Sequence, residues 1–287
     1  MKLRTLSLIT CLFALNFFYA QKPLEYKDTQ GPESGTLVIV GGGRVGKAIT
    51  EKFLELAGGL SAKIVVIPTA AGGEINVDKV WFANQLKSYG ATDVTVLHTY
   101  DKKEADTDAF LLPLKEATAV WFGGGRQWRL VDAYAGTRAE QLFWDVLNKG
   151  GVIGGSSAGA TIQGSYLARG DTRNNQIMMG DHEKGFGFIK NIAIDQHVLA
   201  RNRQFDMFSI LKNKPDLLGI GIDERTAIVV KGDYFNVIGD SKVLIYDGTF
   251  WSREGSELKT IPSKDHRFYF LQDGDAYNLK ERKVLLR

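Results

Sequence analysis

Lys149-Gly150-Gly151-Val152-Ile153-Gly154-Gly155-Ser156-Ser157-Ala158-Gly159-Ala160-Thr161-Ile162-Gln163 governs the reading of the whole chain. Its centre, Gly155 to Gly159, is G-x-S-x-G with Ser157 in the middle position. A short glycine and β-branched run precedes it, and 160–163 reads as a helix opening. Strand, sharp turn and helix are the context in which this pattern forms a nucleophile elbow. Such a turn lifts a serine hydroxyl clear of a sheet edge and aims a helix N-terminus at it. Side chains in place of the flanking glycines would block the turn or the approaching substrate. In a chain with 32 glycines a plain Gly-rich strand end gives the same pattern, so its weight depends on partners for Ser157.

Upstream of the elbow, 36–40, 63–67, 93–97 and 117–122 are continuous apolar or β-branched runs, as expected for strands buried on both faces. Helical patterns fall between them at 45–57 and 76–89, and another at 136–148 leads into the elbow strand. The alternation predicts an α/β fold, a mostly parallel sheet with helices on both faces, with the elbow at a strand end. After about residue 223 the pattern changes. Runs at 226–230, 234–238, 242–246 and 248–251 are separated by Gly232-Asp233, Gly239-Asp240 and Asp247-Gly248. These hairpin signals predict an antiparallel, β-rich C-terminal extension. With no linker and no internal repeat, 36–287 reads as a single domain with its β-rich tail from about 226. Residues 21–35, with Pro23 and Pro32, read as an irregular arm.

Residues 1–20 read as a secretory signal peptide. Lys2 and Arg4 open it, an apolar run from Leu6 follows, and cleavage is expected after Ala20. The run is too short for a comfortable membrane span. The protein is therefore expected to be exported, periplasmic or secreted, with no membrane attachment after cleavage. Thr10 before Cys11 does not suit a lipoprotein anchor. Cys11 is the sole cysteine and lies in the leader, which excludes disulfides, a thiol nucleophile and thiolate metal sites from the mature chain. Loss of Lys2 and Arg4 takes the net charge from +3 to near neutral, which gives no electrostatic case for nucleic acid.

Gly41-Gly42-Gly43-Arg44-Val45-Gly46 satisfies G-x-G-x-x-G after a strand. A dinucleotide site also wants a carboxylate about 20 positions on, at the end of the second strand. That strand ends Val66-Ile67-Pro68-Thr69-Ala70, so a tight turn beside the active-site rim is expected, and no cofactor. Gly123-Gly124-Gly125-Arg126-Gln127 is a similar object and reads as exposed backbone N–H groups.

Acyl transfer by Ser157 needs a base, an orienter for the base, and donors for an oxyanion. Of the four histidines, His197 follows the apolar stretch 192–194 in a polar cluster, where parallel sheets keep their chemistry. His98, at the end of the third strand, is its rival; His182 and His266 read as surface residues. Asp223-Glu224 follows another apolar run, 218–222, with a surface turn as the plainer reading. The common hydrolase order of serine, acid, histidine would need His266 as base. The order Ser157, His197, Glu224 suits the local contexts better.

These residues resemble the cyanophycinase and dipeptidase E family of serine peptidases. Four stretches carry the likeness: Val120 to Gln127, Gly154 to Ala160, Ile194-Asp195-Gln196-His197 with Arg201 and Arg203, and Gly219 to Ala227. Asp195-Gln196-His197 and Asp223-Glu224 have the form of the cyanophycinase branch. The resemblance implies Ser157 as nucleophile, His197 as general base and then acid, and Glu224 as its orienter. It also implies an oxyanion hole from the N–H groups of Gly125 and Ala158. Gln127, Asp195, Gln196, Arg201 and Arg203 would line the substrate site, and no metal or cofactor is implied. Cyanophycinases cleave a polymer of aspartate with arginine on each side chain, so the expected partner is a peptide or polymer substrate. The oligomeric state stays open, a homodimer being one option. Two positions depart from the family: Arg126, where Asp or Asn is frequent, and Asp206, where a third arginine tends to follow the pair. Both reverse charge near the expected site, leaving other β-aspartyl (isoaspartyl) peptides as substrates beside cyanophycin. The alternatives are an exported serine esterase, and a non-catalytic binding protein on the same scaffold.

Overall fold

A computed structural model describes residues 29–256, 260, 263 and 266–285. The expected leader (1–20) and arm residues 21–28 lie outside the described residues. Five strands carry the apolar runs read from the sequence: β1 (Thr36–Val40), β2 (Lys63–Ile67), β3 (Asp93–Val96), β4 (Ala119–Phe122) and β5 (Val152–Ser156). They pair in parallel in the order β1-β5-β4-β2-β3. The helices α1 (Lys47–Ala57), α2 (Trp81–Ser88), α3 (Lys102–Ala105), α4 (Asp108–Glu116), α5 (Trp128–Tyr134), α6 (Arg138–Asn148) and α7 (Ala158–Thr161) alternate with them.

Because side chains alternate along a strand, β1 feeds two cores. Val38 and Val40 pack with Ile49 and Phe53 of α1, while Leu37 and Ile39 join Leu114 of α4 and Phe143 of α6. Trp121 of β4 anchors the first core, stacked on Phe82 of α2 with ring centroids 3.8 Å apart. The helix expected at 76–89 is broken. Asn76 accepts a hydrogen bond from the Asp78 N–H and closes a single 3₁₀ turn (Val77–Lys79). Val80 is then extended, and α2 starts only after it.

Beyond the elbow come β6 (Gly164–Tyr166), β7 (Ile189–Gln196), α8 (Met207–Asn213), β8 (Leu218–Ile222), β9 (Thr226–Lys231), β10 (Tyr234–Gly239), β11 (Val243–Tyr246), β12 (Tyr269–Leu271), β13 (Ala276–Asn278) and β14 (Lys283–Leu285). The expected antiparallel extension exists: β9 pairs with β1, and β10, β13 and β14 follow it, making a mixed sheet of nine strands among the described residues. The sequence does not announce a second sheet, which among the described residues has five strands in the order β12-β11-β8-β7-β6. Its inner face, with Ile192, Ile194, Ile220 and Ile222, shares one core with Ile39 and Ile153 of the large sheet. Its outer face, with Ala193 and Leu244, is covered by Met207 and Ile210 of α8.

Two turn readings are corrected by this division. Gly232-Asp233 does close a hairpin, with Lys231 opposite Tyr234. The turn at 239–240 instead passes the chain from β10 in the large sheet to β11 in the small one. Residues 248–251 are not a strand. The Asp247 carboxylate accepts from the Thr249 N–H and Oγ1 at 2.9 and 2.7 Å, and this local turn replaces strand pairing.

Candidate active site

Strand pairing positions Ser157. Ser156 of β5 lies opposite Val40 of β1, and Gly155 lies opposite Phe122 of β4. The residue after β5 is Ser157, so the glycine loops leaving β1 and β4 flank it on either side. Ser157 has φ 58° and ψ −113°, a conformation that costs a non-glycine residue about 1–3 kcal/mol. Its N–H is held by the Val40 carbonyl at 3.0 Å. Close packing accounts for the last glycine of the elbow: a Cβ on Gly159 would lie 2.0 Å from the Phe122 carbonyl oxygen.

The second sheet supplies the other two side chains. β7 and β8 are parallel neighbours whose register ends at Gln196 opposite Ile222. The chain then continues into His197 on one strand and Asp223-Glu224 on the other. His197 Nε2 lies 2.9 Å from Ser157 Oγ, and His197 Nδ1 lies 2.6 Å from Glu224 Oε1. A carboxylate can only accept, so Nδ1 carries the ring proton and Nε2 is left to accept from the serine hydroxyl. Burial pushes the His197 pKa below the usual histidine value; the Glu224 hydrogen bond opposes this, and the charges of Arg201 and Arg203 add to the lowering. The imidazole is therefore neutral near pH 7, the form a general base needs.

The first glycine motif backs this pair. The Gly41 carbonyl accepts the His197 N–H at 2.8 Å, and the Gly42 carbonyl accepts the Arg225 N–H at 2.9 Å. Gly43 faces the acid: a Cβ there would lie 2.9 Å from Glu224 Oε2. The second motif approaches the serine, with a Cβ on Gly124 falling 3.3 Å from Ser157 Cβ. Among the described residues no carbonyl accepts the N–H of Gly125 or of Ala158.

A family profile, peptidase family S51, matches residues 37–238, a span that contains the elbow, His197 and Glu224. The chain belongs to peptidase family S51. It is a serine-type peptidase, in line with its curated relatives and a solved neighbour. A cyanophycinase of Geminocystis herdmanii is 33% identical over 263 residues, 87% of this chain and 96% of that one. A cyanophycinase of Trichormus variabilis is 30% identical over 276 residues, 92% of each. The crystal structure of a peptidase from an acI-B1 Actinobacterium superposes with a TM-score of 0.65 at 26% identity, covering 87% of this chain and 98% of that one.

The S51 site opens into a cavity of about 560 Å³ lined by Ser157, His197, Gly124 and Arg201. That volume is in the range of ligand pockets. Of the five side chains expected to contact substrate, Arg201 alone lines this cavity. Gln127 is buried and its Nε2 donates to the carbonyls of Ala168 and Arg169 at 2.6 and 2.9 Å. Asp195 is buried and takes both Nε and Nη2 of Arg169, at 2.7 and 2.8 Å. Gln196 and Arg203 are buried against each other, Arg203 Nη1 donating to the Gln196 carbonyl and Oε1 at 3.2 and 3.3 Å. The substrate-lining reading of these four is therefore corrected: they brace the loops around the site. The two departures from the family go the same way, since Asp206 accepts from Arg169 Nη2 at 2.6 Å and Arg126 donates to the Asp171 carbonyl.

The remaining histidines are placed elsewhere. His98 Nδ1 bonds Thr69 Oγ1 at 2.8 Å, and that hydroxyl meets Tyr134 Oη at 2.6 Å. His182 lies between Asp181 and Asp132, and His266 is exposed beside Ser263. Sequence reasoning missed Arg169, whose loop carries no signal beyond Gly170, and the cavity wall from Glu74 to Trp81, of which 76–81 fell within the expected helix.

Proposed function

We propose that this S51 peptidase hydrolyses β-aspartyl peptides, of β-Asp-Arg or isoaspartyl type, through an acyl-enzyme on Ser157. The observation that carries the chemistry is the unbroken hydrogen-bond chain from Ser157 Oγ through His197 to Glu224. As Oγ attacks the scissile carbonyl, its proton passes to His197 Nε2, and Glu224 stabilises the imidazolium. The C–N bond then breaks as the same proton goes to the leaving amine. Water enters, gives its proton to Nε2, and displaces Oγ, which takes the proton back. The N–H groups of Gly125 and Ala158 receive the developing oxyanion, each worth roughly 10²–10³ in rate. The substrate class is supported by the cyanophycinase relatives. We propose export as well, on the strength of the leader-like 1–20.

Wild-type enzyme should cleave β-Asp-Arg polymer or isoaspartyl dipeptides and label with a fluorophosphonate, and Ser157→Ala should abolish both while keeping its thermal transition. Retained hydrolysis by Ser157→Ala would remove the triad; labelling with turnover of simple esters alone would make the protein an esterase. A cell-fraction assay finding the full-length N-terminus in the cytosol would end the export proposal.

A further inference from the structure

We infer that Glu74 selects substrates bearing a guanidinium, with Arg201 taking a carboxylate closer to the scissile bond. The inference rests on the peptidase reading above and specifies the side chain that reading leaves open. It begins from which charges in the cavity are uncommitted. Glu74, Lys79 and Arg201 line it, and among the described residues none of the three makes a side-chain hydrogen bond or ion pair. This contrasts with Asp195 and Arg203, which are buried and bonded. A carboxylate left without a protein partner on a concave wall is available to a ligand cation, and a guanidinium can engage both its oxygens.

The two signs are also arranged in order. Arg201 lies one turn from the base, its N–H donating to the His197 carbonyl at 3.0 Å, and its charge is felt by the imidazole. Glu74 belongs to a different wall, the 72–79 loop between β2 and α2. The lining also includes apolar rings: Trp81, half exposed, and Trp121, buried. A β-Asp-Arg unit has the same sequence of chemistry. Its arginyl α-carboxylate lies near the aspartyl carbonyl, three methylenes follow, and the guanidinium is at the far end. Trp81, which lines the same cavity and is half exposed, offers an indole face to a bound cation. Lys79 is a second cation on the Glu74 wall and does not contribute to recognition of a cation.

The test is calorimetric binding of β-Asp-Arg and β-Asp-Leu to Ser157→Ala protein. Glu74 is exposed and makes no side-chain hydrogen bond or ion pair among the described residues, so its variant is expected to fold normally. β-Asp-Arg should bind at least about tenfold tighter than β-Asp-Leu, as a charge-assisted hydrogen bond allows. Adding Glu74→Gln should bring the ratio near one by weakening β-Asp-Arg alone, and adding Lys79→Gln should leave the preference in place. A preference that survives Glu74→Gln, equal affinities at the start, or no binding of either dipeptide overturns the inference. Hydrolysis by wild-type enzyme is read separately: a Glu74-dependent preference without turnover would sink the peptidase reading and not the cation selectivity.

Discussion

Gly42 and His197 meet in a space that only a glycine leaves open: a Cβ on Gly42 would fall 2.2 Å from His197 Cε1. Gly42 also has φ 125°, a conformation L side chains rarely adopt. Gly42→Ala should therefore push the imidazole off its line to Ser157, and kcat/KM should fall by about a hundredfold or more, since displacements near 1 Å carry such losses. Gly46, the last glycine of the same motif, is a control. It caps α1 at φ −68°, and nothing lies within 4 Å of a Cβ there. Gly46→Ala should cost about 1 kcal/mol or less through the weaker cap and leave kcat/KM within a few-fold. Equal, small effects at both positions would show that the motif does not support the base.

The pH profile should report His197. The reactive form is the neutral imidazole, so kcat/KM rises with pH through the His197 pKa and then levels. Burial lowers that pKa, the Glu224 hydrogen bond raises it in part, and Arg201 and Arg203 lower it again. The acid limb should accordingly lie below the ordinary histidine range. Arg201→Gln removes one of the lowering charges, so the limb should move to higher pH. The plateau should drop about ten- to a hundredfold as a charged hydrogen bond to substrate is lost. A plateau loss with an unmoved limb would mean that Arg201 does not act on the base.

Much of the site was legible because it is built from strand ends. The elbow has fixed spacing, and His197 and Glu224 each follow an apolar run, so their side of the sheet could be read without knowing which sheet it was. The existence of a second sheet could not be read: an apolar run such as 218–222 has the same pattern whichever neighbour it pairs with. The misreading of Asp195 has a sharper cause. On β7, Ile192 and Ile194 face the shared core while Ala193 faces α8, and the two-residue period puts Asp195 on the α8 side with Ala193. A polar residue beside the base thus pointed to a buried partner, Arg169, that no local signal named. The 72–81 wall was missed for a different reason. Its second half belongs to 76–89, whose apolar spacing fits a helix, and the Asn76 turn with the extended Val80 breaks it.

That geometry makes Asp195 a matter of stability rather than substrate affinity. Arg169 and Asp195 are each 1% exposed at the side chain, and their contact is bidentate. Asp195→Ala leaves a buried guanidinium with, among the described residues, the Asn175 carbonyl and Asp206 as its partners. Breaking a buried pair from one side costs about 3–5 kcal/mol, which for a chain of this size lowers Tm on the order of 10 °C. Asp206 shares the same guanidinium, but its side chain is 40% exposed. Asp206→Asn should therefore cost about 1 kcal/mol or less, since solvent screens its charge. Thermal melts and steady-state kinetics on both variants separate the roles. Asp195→Ala should melt early, with KM for the folded fraction within a few-fold of wild type. An unchanged Tm with a large rise in KM would put the Asp195 carboxylate on the substrate after all.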